Sequence, residues 1–230
     1  MAMNRTRVSE RFIRLSVVLV VLLSSPLLGS AQTGQSPEAL AKALQARYQS
    51  VRDFTADFVQ IYRGGVLRTE TRESGTVAVK KPGRMRWTYT SPERKEFVSD
   101  GLKMYAYIPG DKQVTVSNVP ADSEAPTPVL FLAGKGDLVK DFTAEKIASP
   151  VQGTVALKLT PRRNEPEYEY LIVALDPGTL QIRALTTKDR QGGESTLRFE
   201  NLKENKGISD NDFAFRIPRG VDVISNGQRN

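Results

Sequence analysis

The 230-residue chain contains no cysteine and no histidine. The first absence excludes disulfides. Together they remove Ser-His-Asp and Cys-His nucleophilic machinery, imidazole general bases, and the Cys/His ligand sets of zinc and most transition metals. Any chemistry would fall to carboxylates, Lys, Tyr or Ser. Tryptophan is reduced to one residue, Trp87, set among basic side chains in the stretch KKPGRMRWTYTSP over 80–92. With 39% hydrophobic and 26% charged residues, the composition is that of a globular domain, and the length suits one such domain.

Long hydrophobic runs are also scarce. The one that stands out, 15–23 with Leu27 and Leu28 beyond it, follows Arg5, Arg7, Arg11 and Arg14 and precedes the small residues Gly29, Ser30 and Ala31. That order predicts an export leader over 1–31, cleaved after Ala31. The uninterrupted run is far short of the ~20 residues that span a bilayer. No cysteine follows it to take a lipid anchor, so the expected product is a single domain over 32–230, soluble and exported. Removing the leader's four arginines and one glutamate from the chain's 33 basic and 26 acidic residues leaves a net charge of +4. This mild excess, with no recognisable motif, argues against a nucleic-acid partner.

Downstream of the leader, Ser36 is a good N-cap, Pro37 suits the first helical position and Glu38 favours the helix dipole. Leu40, Ala43, Leu44, Tyr48 and Val51 then recur at helical spacing as a narrow apolar stripe. After Asp53 the period changes to two. Phe54, Ala56, Phe58 and Gln60 alternate with Thr55, Asp57, Val59 and Ile61, and similar runs follow at 75–80, 84–90, 96–99, 102–108 and 113–118. Asp100-Gly101, Pro109-Gly110-Asp111 and Ser91-Pro92 mark turns between consecutive antiparallel strands.

The pattern breaks between Pro120 and Phe142, where prolines, the cluster Val129-Leu130-Phe131-Leu132 and a short helix over 137–142 suggest an excursion across the sheet. Period-two runs resume at 154–160, 168–175, 180–187 and 195–202. The predicted fold is mostly β (α+β), a meander of about nine to eleven strands with one leading helix and a helical insertion. On a strand over 84–90, Met85, Trp87 and Tyr89 face one side and Arg84, Arg86, Thr88 and Thr90 the other. A single-stranded nucleic-acid groove needs aromatics and cations on one face. Their separation instead favours an apolar interior with a solvated basic exterior.

These residues resemble a known family. FTADFVQ at 54–60, KPGRMRW at 81–87 with Tyr89 and Ser91-Pro92, VSDGLKMYAY at 98–107, PTPVLFL at 126–132 and FAFRIPRGVDVI at 213–224 are together similar to the LolA family of periplasmic lipoprotein carriers. The resemblance implies an unclosed antiparallel β-barrel with an α-helical lid over an apolar cavity. Its implied function is to bind the acyl chains of lipoproteins released from the inner membrane and deliver them to the outer membrane. The implied partners are acylated lipoproteins, the inner-membrane ABC-type releasing complex LolCDE, and an outer-membrane acceptor, LolB or its equivalent. The carrier is expected to act as a monomer, without enzymatic activity, cofactor or metal.

By the same resemblance, Phe54, Phe58, Met85, Trp87, Tyr89, Leu102 and Met104 line the lipid-binding cavity, and Val129, Leu130, Phe131 and Leu132 form the lid. The best-studied members have an arginine before the proline of the KPGRMRW motif that bonds to the lid and holds the empty cavity shut. Lys81 stands there in this chain, a latch candidate that keeps the charge but lacks the guanidinium fork. The physical demand on such a carrier is clear. At ~0.8 kcal/mol per methylene, three long acyl chains cost on the order of 30 kcal/mol to leave in water. A closed sleeve with a two-state gate meets that demand.

Alternatives are a carrier or sensor of the same fold for another amphiphile, such as a glycolipid or a mislocalised lipoprotein, and a hydrolase built on paired carboxylates. The carboxylate candidates, Asp53/Asp57 and Glu165/Glu167/Glu169, read more simply as strand and loop charges. Gly134-Lys135-Gly136 lacks the third glycine of a phosphate loop and reads as a turn. Arg84, Arg86, Arg94 and Lys95 form a basic outer face, a solubility feature or a dock for an acidic rim.

Overall fold

A computed structural model describes residues 35–65, 69–119, 132 and 136–226. Helix α1 (Pro37–Gln49) opens as its sequence dictates, with the Ser36 hydroxyl accepting from the Ala39 amide at 3.2 Å. Its buried stripe is Leu40, Ala41, Leu44 and Tyr48.

The strands are β1 (Asp53–Arg63), β2 (Glu70–Lys80), β3 (Arg84–Ser91), β4 (Lys95–Asp100), β5 (Lys103–Ile108), β6 (Gln113–Asn118), β7 (Phe142–Ile147), β8 (Val155–Pro161), β9 (Tyr168–Leu175), β10 (Ile182–Asp189), β11 (Glu194–Glu204) and β12 (Asp222–Asn226). They form one twelve-stranded sheet in the order β12-β6-β5-β4-β3-β2-β1-β11-β10-β9-β8-β7. Two meanders thus join where β1 pairs with β11, and β12 and β7 are the edges of the sheet among the described residues.

Three sequence expectations are corrected. The sheet is mixed rather than wholly antiparallel, because β12 pairs with β6 in parallel. The helix expected over 137–142 is a single turn, α2 (Leu138–Asp141), capped by the Asp137 carboxylate. Phe142 then opens β7 directly, so the described residues form twelve strands where nine to eleven were expected. Both unforeseen strands are edges, where one side of the ladder is solvated and the apolar alternation that marks a strand is weak. Of the lid cluster, Val129, Leu130 and Phe131 lie outside the described residues.

The core lies between α1 and the concave face of the sheet. Leu40, Leu44, Tyr48, Val51, Phe54, Phe58, Val77, Val79, Met85, Leu132, Leu157, Leu171, Leu185 and Phe199 belong to one buried cluster. A second apolar layer lies on the convex face. There the C-terminal segment packs on β3 and β4, Phe213 is completely buried, the convex-facing Val98 and Val114 are buried too, and Phe215 stacks on Tyr105 with ring centres 5.1 Å apart.

Candidate functional site

The register puts the expected wall together. Phe58, Gly75 and Tyr89 stand in one rank across β1, β2 and β3, as do Ala56, Val77 and Trp87. Phe58 and Tyr89 are two strands apart, yet their rings meet edge-on at 4.9 Å. Gly75 between them permits this, since it presents no side chain. A Cβ there would lie 1.9 Å from the Thr88 carbonyl oxygen. Phe58 also meets Trp87 edge-on at 5.0 Å, and Trp87 leans on Phe199 at 6.5 Å.

Phe54, Phe58, Met85 and Tyr89 are buried, and Trp87 is half-buried against the same core. Met104, half-buried, shares their face through the Met85-Ser99-Met104 rank. Tyr89 donates to the Gln60 side chain at 2.7 Å, and burial with the nearby Glu73 charge pushes its phenol up to about 12.

Leu102 is the exception. It is 81% exposed, because the hairpin turn takes in one more residue than the strand reading allowed. The Asp100 carboxylate accepts from the amides of Leu102 and Lys103 at 2.8 and 2.7 Å. Parity inferred from a strand fails for a residue in such a turn. Leu102 therefore does not line the interior.

Helix α1 closes the concave side through a few polar contacts near its C-terminal end. Lys81 follows β2 in a loop whose amide donates to the Arg52 carbonyl at 2.8 Å. Its ammonium donates to the Tyr48 carbonyl and lies 3.5 Å from the centre of the Tyr48 ring. Burial lowers the Lys81 amine from its ordinary 10.5 to about 8, with the nearby Glu204 opposing that shift and Arg47 adding to it.

The Tyr48 hydroxyl in turn donates to the Leu132 carbonyl at 3.0 Å in a buried setting. Burial raises that phenol far above its usual value, so it stays a donor. Toward β10 and β11, Arg47 pairs with Glu204 at the end of β11, and its Nε donates to the Thr179 carbonyl at 3.2 Å. Gln45 accepts from the Leu138 amide at 3.0 Å.

Under this cover the interior is nearly full. A cavity of about 10 Å³ remains, lined by Tyr48, Phe54, Leu132, Leu180, Ile182, Phe199 and Leu202, with Arg47 and Glu204 at its rim. That is room for about one water.

The remaining sequence candidates have structural roles. The Asp53 carboxylate is buried and accepts from the amides of Lys206 and Gly207, tying the start of β1 to the segment after β11. Asp57 faces outward and accepts from Asn201 at 2.7 Å. Glu167 and Glu169 are exposed. The described residues contain no group of three or more carboxylates placed to hold a metal.

The basic outer face is also revised. Arg86 donates to the carbonyls of Asp212 and Ala214 at 2.6 and 2.8 Å and pairs with Glu96, while Lys80 and Arg84 pair with Asp210. These cations hold the chain's own C-terminal segment. Lys95 lies on the concave side opposite Tyr89 and pairs with Glu73. Arg94 alone of the four is exposed.

Sequence reading placed Tyr48 in the apolar stripe of the helix without its hydrogen-bonding role, and did not find Arg47, Glu204 or Gly75. Only Gly75 carried a local signal, a glycine inside a strand pattern, which marks a bulge or a close approach.

The family model for "Outer membrane lipoprotein carrier protein LolA" matches residues 49–216. An outer-membrane lipoprotein carrier protein of Chromohalobacter salexigens is 32% identical over 220 residues, covering 94% of this chain and 99% of that one. One from Alkalilimnicola ehrlichii is 32% identical over 216 residues, covering 93% and 97%. Among solved structures, an uncharacterized conserved protein of Thermus thermophilus shares the fold with a TM-score of 0.51 at 14% identity, over 80% of this chain and 98% of that one.

Proposed function

The chain belongs to the LolA family, and from that premise we propose how its own residues carry a lipoprotein from the inner to the outer membrane. It is an outer-membrane lipoprotein carrier protein, of a family of periplasmic transport proteins rather than enzymes. Among the described residues no helix is long and apolar enough to cross a membrane. Residues 1–31 serve as the cleaved export leader, and the domain from residue 32 works as a monomer.

The observation that carries the reading is the apolar concave wall under a helix held by a handful of polar contacts. Phe54, Phe58, Met85, Trp87, Tyr89 and Met104 meet the acyl chains. The buried lid residue Leu132 and α1 are displaced to admit them, since 10 Å³ cannot hold even one chain. Lys81 is the latch, working through Tyr48. LolCDE loads the carrier, and LolB or an equivalent acceptor receives the cargo. Moving wall and lid apart exposes apolar surface to water, which the acyl chains then cover, so empty and loaded states are balanced by the same apolar area.

The test is mass spectrometry, native and denaturing, of the domain purified from its periplasm, with Trp87→Asp beside wild type. Acylated cargo on wild type and none on the folded variant is the expected result. A non-lipoprotein amphiphile on wild type would shift the reading to another cargo. An empty interior even after incubation with acylated peptide would end it.

A further inference from the structure

The void left under α1 is bounded at one end by the latch residues Tyr48 and Leu132. From there it runs between α1 and the β10–β11 half of the sheet, with apolar walls from Leu180, Ile182 and Leu202 and a charged rim made by Arg47 and Glu204. The two flanks are held differently. On the Lys81 side the helix is secured by an ammonium to the Tyr48 carbonyl, the same ammonium against the Tyr48 ring, and the Tyr48 hydroxyl to Leu132.

Along β10–β11, among the described residues, the Arg47 side chain spans the seam to the Glu204 carboxylate and the Thr179 carbonyl, and Asn205 bonds the Ser50 carbonyl and Arg52 amide just past the helix. The paired side chains retain 29% and 16% of their exposure. They sit where water can receive both charges when they part, so opening this seam strands neither charge in a low-dielectric interior. An aliphatic chain cannot compete for either charge.

We infer that the seam between α1 and β10–β11 is the port through which an acyl chain enters and leaves, and that the Arg47–Glu204 pair is its clasp. The inference rests on the carrier reading and assigns the gate of that site to residues outside the Lys81 latch. Arg47 and Glu204 act by positioning the helix; they supply no apolar contact to the cargo. Neutralising either should therefore speed uptake and release together and change equilibrium affinity much less. Because the pair is partly solvated, added salt should weaken it and speed uptake by wild type.

The experiment follows a dansyl-labelled palmitoylated peptide by energy transfer from Trp87 in stopped flow. The proteins are wild type, Arg47→Gln, Glu204→Gln and the exchanged pair Arg47→Glu with Glu204→Arg. Each single variant should raise both rates by roughly threefold to tenfold, the range for an ion pair worth up to about 1.4 kcal/mol. The exchanged pair should return both rates toward wild type.

Single variants that lower the unfolding midpoint but leave both rates at wild-type values would overturn the inference. So would wild-type uptake that does not change with salt, a measurement that stands if the exchanged variant fails to fold. The cysteine-free background adds one more arm. Arg47→Cys with Glu204→Cys, bridged by a reducible bis-methanethiosulfonate, should block uptake until reduced. If the bridged protein takes up peptide at the reduced protein's rate, the port lies elsewhere. A wild type that binds no palmitoylated peptide at all overturns the carrier reading and this inference with it, whereas binding with unaltered variant rates overturns the clasp alone.

Discussion

Lys81 grips Tyr48 twice, donating to its backbone carbonyl and placing its ammonium 3.5 Å from the centre of its ring. The fork of an arginine at this position could reach several carbonyls. Here the work is divided. The ammonium takes the carbonyl at the end of α1, and the Tyr48 hydroxyl takes the carbonyl of Leu132.

This arrangement makes a pH prediction. In the unfolded chain the Lys81 amine has its ordinary 10.5, and in the folded protein burial brings it to about 8. Between those values the unfolded state holds the proton and the folded state has lost it, so unfolding free energy rises with pH across that window. Below pH 8 the folded state bears the cost of a buried charge. Urea titrations at pH 7, 8.5 and 10 should show wild type gaining on Lys81→Met as pH rises. A gap that stays constant would show that burial does not shift this amine.

Tyr48→Phe tests the other half of the latch. The substitution keeps the ring over which Lys81 sits and removes the donor to the buried Leu132 carbonyl. Leaving a buried acceptor short of its partner costs about 1–3 kcal/mol. The expected outcome is a loss of that size in urea unfolding, with faster binding of an apolar dye through the loosened cover. Wild-type stability would mean that another group satisfies the Leu132 carbonyl.

Gly75→Ala should disturb the aromatic wall without touching an aromatic. The added Cβ would stand 1.9 Å from the Thr88 backbone oxygen, so β2 and β3 must separate and the Phe58–Tyr89 contact must loosen. A cost of about 1–3 kcal/mol is expected for such overpacking. Because Trp87 is the chain's one tryptophan and touches Phe58, its emission should shift as well. Unchanged emission and stability would place the wall's order elsewhere.

Much of this wall was legible in the sequence, because strand parity is a strict geometric rule. Met85, Trp87 and Tyr89 had to share a face, and the alternation of Phe54, Ala56 and Phe58 had to match it. Leu102 misled because the rule holds only inside a strand, and the Asp100 side chain extends the turn past Gly101. The strands β7 and β12 were hidden by their edge positions. The clasp was hidden for a different reason: Arg47 and Glu204 are 157 residues apart, and neither has a neighbour that announces a partner. Likewise nothing local says that Arg84 and Arg86, read as a solvated face, are engaged by the backbone and carboxylates of residues 210–214.

That engagement separates stability from binding, and Phe213→Ala should show it. Phe213 is completely buried, but against the convex face, held there by Arg86 on the carbonyls of its two neighbours. Truncating a buried phenylalanine costs about 3–5 kcal/mol, so urea unfolding should register a loss of that order. Trp87, on the same strand one residue from Arg86, points the other way into the concave wall. Acylated-peptide affinity measured below the unfolding transition should therefore stay at the wild-type value in Phe213→Ala and collapse in Trp87→Asp. Arg86→Lys should imitate Phe213→Ala more weakly, since one ammonium cannot serve two carbonyls and a carboxylate in the fixed geometry of the guanidinium. Equal losses of affinity in Phe213→Ala and Trp87→Asp would mean that the two faces of the sheet do not act independently.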